Sequence, residues 1–148
     1  MGVKDVVVKQ ISIFLENKFG RLAAVTKVLG DAGINIRALS IADTAEFGIL
    51  RLIVDQPDRS YEILKKARFT VSETEVLAVE VRDVPGGLAA VLEVMAEAQI
   101  NIEYMYGFLA RASEDALIVF RVEQPLAAIR LLQERGIKLL EGDKVYKI

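Results

Sequence analysis

The chain has 148 residues, 53% of them hydrophobic and 27% charged, with a net charge of −2. This composition fits a folded globular protein of one ordinary domain or two small ones of about 70 residues each, and its mild acidity gives no electrostatic pull on nucleic acid or anionic membrane. Cysteine and histidine are both absent, which excludes disulfides, thiolate nucleophiles, imidazole bases, Ser-His-Asp triads and the usual zinc, copper and haem ligands.

The apolar run Val6-Val7-Val8 is too short for a signal peptide, and no run approaches the roughly 18–20 apolar residues that span a bilayer. A cytoplasmic protein with no membrane partner is expected. Gln10 to Leu15 alternates with Ile11, Ile13 and Leu15 on one face, the pattern of a strand. Asn17 is placed to cap the helix that follows, in which Leu22, Val25, Leu29 and Ala32 recur at helical spacing. Gly33 is placed to stop that helix. Strands are predicted over Ile34 to Ile41 and Gly48 to Asp55, the second ended by Pro57. A helix carrying Tyr61, Leu64 and Ala67 follows, then a short strand near Phe69 to Val71.

The same order then recurs. Residues 20–36 and 86–102 match at ten of 17 positions, and Val54-Asp55-Gln56-Pro57 parallels Val122-Glu123-Gln124-Pro125. The second set comprises a strand over Val76 to Val81, a helix with Leu88, Val91, Met95 and Ala98, strands over Ile100 to Leu109 and Ala116 to Glu123, a helix with Leu126, Ile129 and Leu132, and a strand near Ile137 to Leu140. Asp83 is the expected cap and Pro85 falls in the expected first turn; Gln99 stands where the first copy has its stop glycine. The β-α-β-β-α-β order predicts an α+β protein of two ferredoxin-like modules, 1–74 and 75–148, packed side by side with helices on one face of antiparallel sheet. The acidic residues Asp43, Glu46, Glu114 and Asp115 fall in hairpin turns and suit solvent rather than a metal. Tyr104, Tyr106 and Phe108 share one face if their strand is regular, a stripe that suits packing or an apolar ligand; Gly107 could mark a bulge.

Each copy carries an Asn/Asp-x-x-Gly-x-Leu-Ala-Ala-Val start, with Ile-Asn-Ile twelve residues past the Leu. In the first copy these are Asn17, Phe19, Gly20, Arg21 and Leu22 with Asn35. In the second they are Asp83, Pro85, Gly86, Gly87 and Leu88 with Asn101. The pattern resembles the ACT domain, here as two tandem copies covering nearly the whole chain. The resemblance implies a non-catalytic regulatory protein of amino-acid metabolism. It would bind a free amino acid where modules meet, through those twelve residues, with no catalytic residue, metal or cofactor.

Physical chemistry is consistent with such a site. A helix N-terminus serves a carboxylate, glycine allows close approach, and Asp or Asn oxygen accepts from an ammonium. Leu15 and Val81 stand where serine-sensing relatives carry a polar residue, which favours an apolar or aromatic ligand. Asn is unfavourable in a strand, so its recurrence at one strand position points to a role. The alternative is a regulatory or assembly subunit of an amino-acid biosynthetic enzyme with no ligand of its own, and acetohydroxyacid synthase small subunits carry such a module. Exposed sheet edges favour a homodimer. An RNA-binding role is disfavoured by the lack of basic, aromatic RNP-type strands.

Overall fold

A computed structural model describes residues 2–43, 46–111 and 113–148, the side chain of Asp43 excepted. After a single 3₁₀ turn, Val3–Val6, come β1 Val7–Glu16, α1 Arg21–Asp31, β2 Ile36–Asp43, β3 Phe47–Val54, α2 Pro57–Lys66 and β4 Thr70–Val81. Then follow α3 Gly87–Glu97, β5 Ile102–Gly107, β6 Ala116–Val122, α4 Pro125–Glu134 and α5 Gly142–Val145. The chain divides into two compact units. One is Lys9–Thr74; the other is Glu75–Ile148 together with the residues up to Val8.

In the unit Lys9–Thr74 the strands lie in the order β2-β3-β1-β4. β1 and β3 run antiparallel with Ile11 opposite Leu52 and Ile13 opposite Leu50. The period of two puts Ile11, Ile13 and Leu15 on one face, where they meet Leu50, Leu52 and Val54 of β3, Val25 and Leu29 of α1, and Leu64 of α2. Burying each such side chain stabilises the unit by about 1.5–3 kcal/mol. The apolar stripe expected on α1 holds for Val25 and Leu29, but Leu22 at its start is 46% exposed. α2 opens on Pro57, whose fixed φ suits a first helical position.

In the unit containing Glu75–Ile148 the order is β4-β6-β5. Leu77 faces Phe120 and Val79 faces Ile118 across β4 and β6. Leu77, Val79, Val81, Phe120 and Val122 pack on Val91 and Met95 of α3 and on Ile129 and Leu132 of α4. Val6 of the 3₁₀ turn joins this core.

Six strands appear among the described residues where eight are predicted, for two reasons. The segment from Thr70 to Val81 contains neither Gly nor Pro, so the closing strand of the first copy runs on into the opening strand of the second. The strand expected near Ile137 to Leu140 reduces to one bridge, Leu139 opposite Val79. It is flanked by hydrogen bonds from Glu80 N–H to Lys138 O and from Leu140 N–H to Ala78 O.

The missing stop glycine of α3 is explained by backbone conformation. Gln99 itself takes a left-handed φ of 57°, as Gly33 does at 72°, and Ile100 N–H reaches Met95 O as Ile34 N–H reaches Leu29 O. The second helices show the reverse. Arg68 has φ 69° where its counterpart Gly136 has 71°.

Candidate functional site

The two loops that precede α1 and α3 have the same construction. Gly20 and Gly86 cap the helices with φ of 81° and 82°, and no side chain caps either first turn. This corrects the expectation for Asn17 and Asp83, which lie three residues outside the helix caps. Pro85 likewise precedes the cap rather than entering the first turn. Left-handed glycine turns the chain sharply enough that residue 17 or 83 is carried past the helix end. Asn17 N–H instead donates to Glu46 O at 2.8 Å. The Asp83 carboxylate accepts from Arg111 Nη2 at 2.6 Å, and Arg111 Nη1 donates to Glu114 O at 3.2 Å.

Beside the second loop lies an open cleft of about 510 Å³, within the usual range for small-ligand sites. Pro85, Gly86 and Gly87 form one wall, and Ala90, Val91 and Val94 of α3 continue it as an apolar stripe. The turn after α4, from Arg135 to Lys138, forms the opposite wall, with Ile137 supplying apolar surface. Glu80, Arg82 and Asp115 add charge to the lining. The Glu80 side chain is only 9% exposed, with Lys138 Nζ at 3.8 Å; Arg135 reaches Glu97 at 3.5 Å. Among the described residues the Arg82 guanidinium has no hydrogen-bond or ion-pair partner.

The first loop borders a hollow of only about 70 Å³, between Asn17, Lys18, Arg21 and Leu22 on one side and Leu15, Ile41 and Gly48 on the other. The Arg21 guanidinium lies over the Phe69 ring at 5.2 Å from its centroid, and its buried Nε has no hydrogen-bond partner among the described residues. Lys18 Nζ meets Glu16 at 2.7 Å. That hydrogen bond and charge hold the exposed Glu16 carboxyl below the usual carboxylate range.

Of the twelve predicted residues, Pro85, Gly86 and Gly87 line the larger cleft, and Asn17, Arg21 and Leu22 line the smaller hollow. Phe19 is fully exposed, and Leu88 packs against the core. Asn35 and Asn101 are exposed and stand just before β2 and β5 rather than within them. Each accepts a backbone hydrogen bond from the residue just past the next strand: Asp55 N–H donates to Asn35 O at 3.1 Å and Glu123 N–H to Asn101 O at 3.3 Å. The strand-propensity argument for these two residues therefore does not apply. Within each unit, the Asn and the loop stand at opposite ends of the sheet, as the pairing of Ile36 with Val54 and of Leu15 with Gly48 shows for the first.

The aromatic stripe does lie on one half-buried face, but the bulge falls at Glu103, not at Gly107. The register sets Tyr104 and Tyr106 opposite Arg121 and Val119, on the sheet face away from the helices and the cleft.

Sequence reasoning missed Glu80, Arg82, Asp115, Arg135, Ile137 and Lys138 as cleft residues. Only the repeat could have found some of them, since Gly87 aligns with Arg21, Arg82 with Glu16 and Ile137 with Phe69. As chemistry, the cleft offers cations, the first-turn N–H groups, two carboxylates and an apolar wall, which together suit a small zwitterion.

Among solved structures, the chain is similar to protein BT0572 from Bacteroides thetaiotaomicron, with 45% identity over 97% of this chain and 98% of that one and a TM-score of 0.91. It is also similar to the ligand-free regulatory subunit of aspartate kinase from Thermus thermophilus, with 19% identity, 88% and 94% of the two chains covered and a TM-score of 0.62. The aspartate kinase regulatory subunit from Thermus flavus follows at 17% identity, 89% and 94% coverage and a TM-score of 0.59. At these last two identities the likeness speaks for the fold alone. None of the curated proteins matches the sequence. The ACT domain pair family matches residues 6–148, nearly all of the repeat and both glycine-capped loops, and the chain belongs to that family.

Proposed function

We propose that this chain is a non-catalytic regulatory protein that binds a free amino acid through the glycine-capped loops of its ACT modules. The observation that supports this most is the cleft beside Pro85, Gly86 and Gly87. It opens onto a helix start that no side chain caps, in a chain of the ACT domain pair family. A carboxylate would be held by the first-turn amides and an arginine, and an ammonium by Glu80 or Asp115. Such binding would bias the protein between states with different contacts to an enzyme partner, as allosteric coupling requires. Thermal shift against the twenty amino acids tests the reading. A ligand at 100 times its Kd should add about 2.7 kcal/mol of stability. Unchanged melting with all twenty at millimolar concentration would contradict it.

A second reading, an assembly subunit with no ligand of its own, draws support from the first module, where Arg21 lies across Phe69 at the position that matches the wall of the cleft. On that reading a biosynthetic enzyme would be captured in pull-down at equal strength with and without amino acids.

A further inference from the structure

We infer that the chain holds one amino acid, in the cleft inside its second module, and that the matching position of the first module is closed by its own side chains. The inference rests on the amino-acid-binding reading above and goes beyond it by naming the module, the stoichiometry and the ligand class.

Three substitutions between the copies carry it. The first residue of the first helix is Arg21 in one copy and Gly87 in the other. Arg21 lies across Phe69, so the wall is covered by a guanidinium. Gly87 leaves the wall bare, and the loop is folded so closely that a Cβ there would collide with Arg82 O. Position 87 is thus kept bare by the backbone itself. Next, the aligned positions 16 and 82 carry opposite charge. Glu16, paired with Lys18, would repel a ligand carboxylate, whereas Arg82 has no partner among the described residues and lines the cleft. Finally, Phe69, over which the first guanidinium lies, is replaced by the smaller Ile137.

The ligand class follows from the walls. The carboxylate goes to Arg82 and the N–H groups at the start of α3, and the ammonium to Glu80 and Asp115. The side chain is left to lie along Ala90, Val91 and Val94 facing Ile137, and the two cations of that opposite wall are already paired, Arg135 with Glu97 at 3.5 Å and Lys138 with Glu80 at 3.8 Å. That selects an amino acid with an apolar side chain.

Titration calorimetry of the full chain with the twenty amino acids tests this. One apolar amino acid per chain is expected. Arg82→Ala removes a charged hydrogen-bond donor and should raise Kd about tenfold. Ala90→Leu, a good helix former filling the cleft, should raise it by at least as much. Arg82→Ala keeps the test decisive if the larger side chain at position 90 disturbs the helix. Lys27→Ala, at an exposed position of α1 in the first module, should leave Kd unchanged. Tight binding that ignores both second-module substitutions, a stoichiometry of two, or preference for a charged amino acid would overturn the inference while leaving amino-acid binding in place. No binding of any amino acid would remove the underlying reading as well.

Discussion

The two modules share helix caps, strand register and helix closures, yet at the start of the first helix one lays Arg21 across Phe69 and the other leaves Gly87 beside an open cleft. The core positions barely differ: Leu29 and Met95 occupy equivalent places and both are buried. The differences gather at the start of the first helix, where Arg21 and Glu16 are exchanged for Gly87 and Arg82. A duplicated fold can therefore keep its packing twice while keeping an open cleft once. Packing depends on apolar periodicity, whereas a cleft depends on a few side chains at its edge.

The comparison can be broken first at the cores. Leu29→Ala and Met95→Ala should each cost about 3 kcal/mol in denaturant unfolding, and a difference of several kcal/mol would mean that the two positions are not equivalent. The helix starts come next. Gly87→Ala drives a Cβ against Arg82 O and should cost about 2 kcal/mol, while Arg21→Ala loses one cation–π contact and should cost about 1 kcal/mol. Equal costs would erase the distinction between closed and open. The left-handed closures give a smaller effect of opposite sign. Gln99→Gly and Arg68→Gly relieve non-glycine residues at positive φ and should raise stability by about 0.5–1 kcal/mol each, read as a higher melting temperature.

The smallest effect is electrostatic. A lowered Glu16 pKa makes its contribution present at neutral pH and lost as pH falls through the folded-state value. Lys18→Ala should let the carboxyl titrate nearer its ordinary range, as followed by carboxyl carbon NMR. An unmoved titration would show that Lys18 is not its partner.

Much of the fold is legible in the sequence, because periodicity and the repeat act locally. Ile11, Ile13 and Leu15 announce a one-sided strand, and Val25 and Leu29 a helix that packs on it. Strand ends are harder. Nothing local marks where the first copy's last strand stops, since the chain from Thr70 to Val81 has no breaker and forms a single strand. The caps mislead because Asn17 and Asp83 have the right chemistry, but glycine geometry moves the helix cap three residues onward. The loop residues of the candidate site are visible as motif. Arg135, Ile137 and Lys138 are not, because they approach the loop only once α4 has packed beside α3. Arg82 is hidden in another way. Its meaning emerges only when it is set beside Glu16.

The most direct test of the account is the amide NMR spectrum of the chain titrated with the amino acid that calorimetry selects. The account predicts shifts at Arg82 and from Gly86 to Ala90, with Gly20 to Ala24 unmoved. Shifts confined to Gly20–Ala24, or of equal size at both loops, would contradict it.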